Sequence, residues 1–293
     1  DKAKIIFGDL TLAEGTTLNI AKGTNVYFHK NSGLKLSKNA KLNIDGDLGS
    51  EVIFRGDRND PRYDTIPKNW QGISMEVNST LHMNYAKVIG GTVGLQMNQT
   101  TAIIDNSIFH THQEFGILAI NSNVTAKNLV MNNCGNADFG IFKGGTYNIT
   151  HSTLANYWNL NSALPGLGLY ATNEYENGNS IEQGALNLTV KNSIIYTDNS
   201  NAVLFKPTAG QVFNYSFQTS LLNYGGSANY TLDAGSLKNQ DPKFLNYFTQ
   251  KMNLRLKVDS PAKGKANVAV GATVPLDIVK VSRTVNPSMG AYQ

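Results

Sequence analysis

The segment of residues 55–68 holds the densest set of groups that could do chemistry. It interleaves four bases with three acids: Arg55, Arg58, Arg62 and Lys68 with Asp57, Asp60 and Asp64. A polysaccharide lyase needs a base beside a sugar C5 proton and a cation or arginine that neutralises charge, and both kinds of group are present. A surface loop whose charges cancel explains the same pattern, and we favour that interpretation.

Pairs of carboxylates are scarce along the rest of the chain. A glycoside hydrolase holds two carboxyl groups roughly 5–5.5 Å apart for retention, or roughly 6.5–9.5 Å apart for inversion. The region 73–137 contains only three acids, and Asp45 and Asp47 flank a glycine at a turn, where such residues are expected anyway. We therefore assign no catalytic residue.

The remaining reactive residue types also favour structural roles. His110, His112 and Glu114 alternate as residues on one strand face do, but Gly116 opens a new strand directly afterwards. A structural zinc would need a fourth ligand and a closed tetrahedron, so the sequence predicts no metal and no cofactor. Cys134 is the only cysteine, which excludes an internal disulfide. It has no local base, so we interpret it as a buried turn residue.

Composition narrows the class of protein. Charged residues make up 16% of the 293 residues, below the roughly 25% of ordinary domains. The formal net charge of +4 is small and the lysines are scattered, so no nucleic-acid partner is expected. No run of eighteen apolar residues suggests a transmembrane segment. The chain opens directly into strand-like sequence, so we expect that a leader was removed before Asp1.

Two markers recur at nearly the same period. A glycine followed by an apolar residue occurs at Gly72, Gly94, Gly116, Gly140 and Gly168, with separations of 22, 22, 24 and 28 residues. A second apolar element begins at residues 86, 107, 128 and 152, with separations of 21, 21 and 24. The segments between alternate apolar and polar residues, as strands do. Neither a helical solenoid nor a propeller blade of about 40 residues fits this pattern. It predicts an all-β, single-stranded, right-handed parallel β-helix.

The N-terminal third continues the repeat, whereas the C-terminal end does not. Leu18 is followed 24 residues later by Leu42, and Val26 is followed 26 residues later by Val52. After about residue 224 the pattern dissolves. We predict coils over residues 1–224, then the last irregular coils and a C-terminal cap over 225–293, all in one continuous domain. A solenoid needs a cap because its last coil otherwise exposes core and strand edge.

Several stretches resemble a known group of proteins. They are residues 15–20, 23–28, 33–36, 40–44, 54–58, 69–73, 133–135 and 155–158, with the ending 260–262 to 290–292. They resemble an uncharacterised family of secreted, pectin-lyase-like right-handed β-helix surface proteins of polysaccharide-feeding Gram-negative anaerobes. The resemblance implies an exported protein at the outer-membrane surface or outside the cell, in a group where lipid anchors are common. It implies no established reaction.

Ligands of solenoids usually bind at insertions on one side of the repeat. Three insertions interrupt the period, at residues 57–69, about 157–166 and about 172–185. The first two both precede the glycine-apolar strand, so we expect them at one edge, four coils or roughly 19 Å apart. Aromatic residues stand at both loops. The candidate ligand-binding residues are Arg58, Arg62, Tyr63, Trp70, Tyr157 and Trp158.

These observations favour an exported, monomeric surface protein that binds a glycan or acts as an adhesin, without catalysis. Its expected partner is a polysaccharide or a host or cell-surface glycan. The alternative is a polysaccharide lyase or glycoside hydrolase acting at the 57–70 side of the solenoid. A purely structural spacer, in which Trp70 and Trp158 only plug the loops, stays open as well.

Overall fold

Each turn of the chain contributes three short strands, and each strand pairs in parallel with its equivalent one turn later. This arrangement is seen in a computed structural model that describes residues 3–199, 201–226 and 228–293. The strands form three faces, which we call sheets A, B and C in the order in which the chain visits them. The protein is therefore a parallel β-helix, and the predicted fold is confirmed.

Sheet A comprises Ala3–Ile6, Asn25–Phe28, Val52–Gly56, Ala86–Ile89, Ile108–His112, Val130–Cys134, Thr153–Asn156, Ile194–Thr197, Leu221–Leu222 and Leu237–Lys238. Sheet B comprises Leu10–Leu12, Gly33–Leu36, Gly72–Met75, Leu95–Asn98, Leu167–Thr172 and Val203–Lys206. Sheet C comprises Thr17–Ala21, Lys41–Asp45, Thr80–Asn84, Thr101–Asp105, Leu186–Lys191 and Phe213–Gln218. Two longer strands, Phe115–Lys127 and Ala137–Thr150, run through B and C without a break.

The other elements lie outside the three sheets. They are the antiparallel pairs Glu174–Asn177 with Ser180–Gln183 and Phe244–Asn246 with Asn253–Leu256, the 3-10 turns Tyr63–Thr65 and Thr249–Lys251, and the α-helix Val268–Thr273. Among the described residues, no helix is long and apolar enough to cross a membrane.

Alternate side chains of each strand point inward and stack on their equivalents. In sheet A, Val88, Phe109, Met131 and Leu154 occupy successive rungs and are fully buried. The rungs follow the spacing of parallel strands, about 4.8 Å apart. The apolar alternation in the sequence therefore becomes one continuous core along the axis.

The register confirms most of the predicted alignment and corrects part of it. Leu18 pairs with Leu42 as predicted, but Val26 pairs with Phe54, two residues beyond Val52. The second marker advances by 21, 22 and 23 residues, because Ile108 pairs with Val130 rather than with Leu129.

The glycine marker also needs one correction. Phe139 pairs with Ile117 on one side and with Leu169 on the other. The residue in line with Gly116 and Gly168 is therefore Asp138. Gly140 faces Leu118 and Tyr170, so its place in the predicted glycine column was wrong.

An asparagine ladder lines the tight corner between sheets C and A. Asn106 donates to Oδ1 of Asn84 at 2.9 Å, and Asn128 donates to Oδ1 of Asn106 at 2.8 Å. Asn106 and Asn128 have positive φ, a conformation that asparagine tolerates better than most residues. His151 occupies the next rung, and Asn192 on the rung after it donates to His151 Nε2 at 2.9 Å. Asn106, Asn128 and Asn192 therefore act as structural residues of this corner.

The segment predicted as a cap has two different positions. The part around Tyr230 and Leu232 packs on the main core at the last coil. The part from 244 to 293 instead covers the outer face of sheet A, where it forms a second core with that sheet. This second core contains Val130, Ala155, Ile194 and Leu221 from the strands, and Phe244, Leu254, Ala262, Ala266, Ile278, Met289 and Ala291 from the covering segment.

One buried acid lies within the solenoid without a charged partner. Asp138 is fully buried and lies in register between Gly116 and Gly168. Neither of its oxygens has a hydrogen-bond partner within ordinary geometry among the described residues. Burial raises the pKa of Asp138 well above its usual value, and the Cys134 thiol opposes that shift.

The D138N variant is expected to be more stable than the parent at neutral pH. The folded state holds the Asp138 proton more tightly than the unfolded state does. The stabilisation of the fold by this proton is therefore complete below the pKa of the unfolded state, near 4, and is lost as the pH rises through the higher pKa of the folded state. Asparagine does not titrate, so the D138N substitution removes that loss and should raise the free energy of unfolding by at least about 1 kcal/mol at pH 7. Urea unfolding between pH 4 and 8 measures the change and its slope.

Asp277 provides the matched control. It is also buried, but its carboxylate accepts hydrogen bonds from the backbone amides of Val279, Val281 and Gln293. D277N should therefore lose about 1–3 kcal/mol at pH 7. Equal destabilisation by D138N and D277N would show that the Asp138 carboxylate is satisfied in solution.

Candidate functional site

Two of the three predicted insertions leave the solenoid at the corner from sheet A to sheet B. Residues 57–69 connect Val52–Gly56 to Gly72–Met75, and residues 157–166 connect Thr153–Asn156 to Leu167–Thr172. The third insertion forms the hairpin 174–183 at the corner from B to C. The first two loops therefore share an edge, as their positions in the repeat predicted.

Trp70 does not belong to a ligand surface. Only 1% of it is exposed, and its ring stacks on Phe28 with centroids 4.3 Å apart and planes 11° apart. Its indole Nε1 donates to the carbonyl oxygen of Ile89 at 2.8 Å. The prediction of Trp70 as a binding residue was wrong, because the corner of the solenoid encloses the ring on all sides.

Trp158 and Tyr63 are also buried by their own loops. Trp158 donates from Nε1 to the carbonyl oxygen of Asn161 at 2.8 Å, so it holds its loop closed. Tyr63 lies beneath the guanidinium of Arg58, 5.1 Å from the ring centroid. Both were predicted as ligand contacts and neither presents a ring face to solvent.

The three acids of the segment 55–68 are all paired, two of them with arginines of that segment and one with His29. Arg58 Nε lies 2.5 Å from Asp60, Arg55 lies 2.9 Å from Asp64, and His29 Nδ1 lies 2.8 Å from Asp57. The hydrogen bond from Arg58 lowers the pKa of Asp60. Burial raises the pKa of Asp64, against the opposing charge of Arg55. The geometry agrees with a self-neutralised loop, and it engages Arg58 within that loop.

A cleft of about 330 Å³ lies where the two loops meet the covering C-terminal segment. We call it the loop cleft. It is lined by Arg62, Thr65 and Ile66 of the first loop, Asn159 and Leu160 of the second with Tyr157 at its start, Asn133 of sheet A, and Tyr247, Phe248, Thr249 and Gln250. Of the six predicted binding residues, it contains Arg62 and Tyr157.

Aromatic and aliphatic groups are exposed along the loop cleft. Tyr157 and Tyr247 stack with centroids 4.1 Å apart and planes 11° apart, and Phe248 lies 4.7 Å from Tyr247. Tyr247 is 38% exposed and Phe248 is 53% exposed, with Ile66 and Leu160 similarly open. Large apolar side chains that gather in one hollow while exposed mark a binding surface more often than scattered ones do.

One buried amide aligns the two tyrosines. Asn132 donates from Nδ2 to the carbonyl oxygen of Tyr247 at 2.8 Å, and its Oδ1 accepts from the backbone amide of Tyr157 at 3.1 Å. The same side chain therefore ties the second loop and the covering segment to sheet A. The ring stack is positioned by the solenoid rather than by its own loops.

A second hollow of about 380 Å³ adjoins the loop cleft. The two share Arg62, Thr65, Thr249 and Gln250. Asp60, Tyr63, Asp64, Ile89 and His110 complete the second hollow. Burial lowers the pKa of His110 to about 4, so this imidazole is neutral near pH 7. No carboxylate lines the loop cleft itself.

Two larger hollows lie on the outer faces of the other sheets. One, of about 490 Å³, is lined on sheet C by Asn19, Asn43, His82 and Asp105, among others. The other, of about 470 Å³, lies on sheet B beside Lys35. Neither contains a Phe, Tyr or Trp ring. The loop cleft is the stronger candidate because it combines rings, amides and a guanidinium.

Tyr247, Phe248 and Gln250 were missed by the sequence analysis. They follow the region where the repeat dissolves, so periodicity could not place them against residues 62 and 157. The adjacent aromatic pair Tyr247-Phe248 in a polar segment was the available signal.

Comparisons with known proteins add little about activity. No family model matches the chain, and no curated protein matches it. Among solved structures, the chain is similar to a crystal structure of pectate lyase Pel9A, with 15% identity and a TM-score of 0.38 over 99% of this chain and 87% of that one. The assignment of the fold rests on the strand pairing described above.

Proposed function

We propose that the loop cleft binds a segment of a polysaccharide or cell-surface glycan and holds it without transforming it. The observation that carries the proposal is the exposed pair Tyr247 and Phe248 beside the amides of Asn159 and Gln250. Aromatic rings offer stiff apolar contact area at low entropy cost, and sugar rings have one apolar face. Amide groups both donate and accept hydrogen bonds, as sugar hydroxyls require.

The size of the site also suits an oligosaccharide. The loop cleft and the second hollow adjoin, and each is within the range of roughly 300–1,000 Å³ that small ligands occupy. Because such ligands lie outside the cell, the proposal includes export to the cell surface.

The disposition of acids supports binding rather than hydrolysis. Hydrolysis requires two carboxyl groups facing one bond, one of them protonated. Asp60 and Asp64 are the acids of the second hollow, and they are in ion pairs with Arg58 and Arg55 respectively. This pairing favours a structural role for both.

The Y247A variant is expected to bind its polysaccharide at least about tenfold more weakly than the parent, because the exposed ring is lost from the stack. Affinity electrophoresis with xylan, mannan, β-glucan, polygalacturonate and chondroitin sulfate identifies the ligand, and calorimetry then gives the affinities. F7A is the control, since Phe7 is 72% exposed and lines neither the loop cleft nor the second hollow.

Equal affinities of Y247A and the parent would reject the loop cleft as the site. Absence of binding to every polysaccharide would reject the proposed function. Release of unsaturated or reducing-end sugars from the same panel would instead support the lyase or hydrolase alternative.

A further inference from the structure

Arg62 differs from the other arginines of the segment 55–68. Arg55 and Arg58 are in ion pairs with Asp64 and Asp60, whereas no ion pair of Arg62 is found among the described residues. Arg62 is exposed and lines both the loop cleft and the second hollow. Besides tyrosine, it is the only ionisable residue that lines the loop cleft.

The backbone holds Arg62 in place. Its carbonyl oxygen accepts two hydrogen bonds from Thr65, one from the amide at 2.9 Å and one from Oγ1 at 2.7 Å. Its φ is 69°, a left-handed conformation that a non-glycine residue adopts at an energetic cost. The loop therefore keeps a strained residue whose side chain opens onto both hollows.

We infer that the glycan bound in the loop cleft is acidic, and that Arg62 pairs with a carboxylate or sulfate group on it. This inference rests on the proposed function. A guanidinium presents a planar fork of donors that matches carboxylate and sulfate oxygens in pairs. The nearby acids of the loop are already bound to Arg55 and Arg58, so they do not compete for Arg62.

The two hollows also indicate the length and direction of the ligand. They meet at Arg62, Thr65, Thr249 and Gln250, so a linear ligand of at least two sugar units can pass from one to the other. The second hollow is lined by Asp60 and Asp64 and disfavours a further anion. The acidic unit therefore lies at Arg62, with a neighbouring ring against Tyr247.

The test compares each acidic glycan with its own neutralised form. The first probe pair is oligogalacturonides before and after reduction of their carboxyl groups. The second series is chondroitin sulfate in its native form, after desulfation, and after desulfation followed by carboxyl reduction. Each probe is titrated calorimetrically into the full chain. We expect neutralisation of the recognised group to weaken binding at least tenfold. If affinity falls on desulfation, the group that Arg62 recognises is a sulfate; if it falls on carboxyl reduction, that group is a carboxylate.

Three variants make the assignment to Arg62 specific. R62Q should lose at least tenfold in affinity for the acidic form and little for the neutralised form, and R62K should retain part of the affinity. K68Q is the matched control, because Lys68 is an exposed cation of the same loop that lines neither hollow. K68Q should bind as the parent does.

The outcomes separate this inference from the proposed function. Equal binding of acidic and neutralised probes, with Y247A still impaired, would overturn the acidic ligand and leave glycan binding standing. Loss of affinity in R62Q that is the same for both forms would also overturn it. Failure of the parent to bind any glycan, acidic or neutral, would overturn both.

Discussion

The G72A variant is expected to lose about 4 kcal/mol of folding free energy or to fail to fold. Gly72 has φ of 111°, and a Cβ placed there would overlap the carbonyl oxygen of Val93 on the next coil. Backbone strain costs about 1–3 kcal/mol. Overpacking typically adds about 1–3 kcal/mol, and more where the obstacle is backbone. The coils must then separate beside the hydrogen bond from Ile73 to Gly94.

The measurement is urea unfolding followed by circular dichroism, with G23A as the control. Gly23 has φ of 72° in the same solenoid, yet nothing lies within 4 Å of a Cβ added there. G23A should cost only about 1–2 kcal/mol, from the left-handed backbone. Similar losses in the two variants would mean that the coils adjust easily and that the contact with Val93 is unimportant.

The R283M variant is expected to lose about 3–5 kcal/mol of folding free energy and to release the covering segment, residues 244–293, from sheet A. Arg283 is fully buried, and its guanidinium donates to Asn128 Oδ1 at 2.8 Å, to Leu276 O at 2.7 Å and to Gly290 O at 3.1 Å. Burial lowers its pKa to about 10, so it stays charged near pH 7. Methionine would fill the space but remove the guanidinium donors from Asn128 Oδ1 and Gly290 O, each costing about 1–3 kcal/mol, while Leu276 O keeps the hydrogen bond from Asn128 Nδ2.

Hydrogen exchange locates this loss along the chain. In R283M, amides of residues 244–293 should exchange faster while the inner strands of the solenoid keep their protection, because each coil is stabilised mainly by its neighbours. R255M is the control: Arg255 is an exposed residue of the same segment over the Tyr292 ring, worth about 0.5–1 kcal/mol. Uniform loss of protection along the whole chain would show that segment and solenoid unfold as one unit.

The fold could be predicted because the residue types that it requires recur at a regular interval in the sequence. Residues such as Leu18 and Leu42 must be apolar to face the core, and Gly94 must lack a side chain because Gly116 of the next coil lies against it. Because every coil repeats these two requirements, the apolar residues and the glycines recur about every 22 residues. The one position of the glycine column that the sequence misassigned is occupied by Asp138, in register between Gly116 and Gly168.

The candidate site was less predictable, for two physical reasons. Trp70 and Trp158 were chosen as large aromatic residues in loops, but a loop that must stay folded on a solenoid needs large side chains to hold it there. Tyr247 was missed because its partner Tyr157 is ninety residues away, and no periodicity spans that distance. Side-chain exposure and long-range pairing of irregular segments both depend on tertiary packing.

The lateral position of residues 244–293 has a consequence for the order of assembly. Coils contact mainly adjacent coils, so the solenoid can form progressively as the ribosome releases the chain. Residues 244–293, which include Tyr247, are synthesised later. Until then, Val130, Ala155, Ile194 and Leu221 present an uncovered apolar strip to solvent. A chain shortened before residue 244 would keep that strip permanently, lack a complete loop cleft and tend to aggregate.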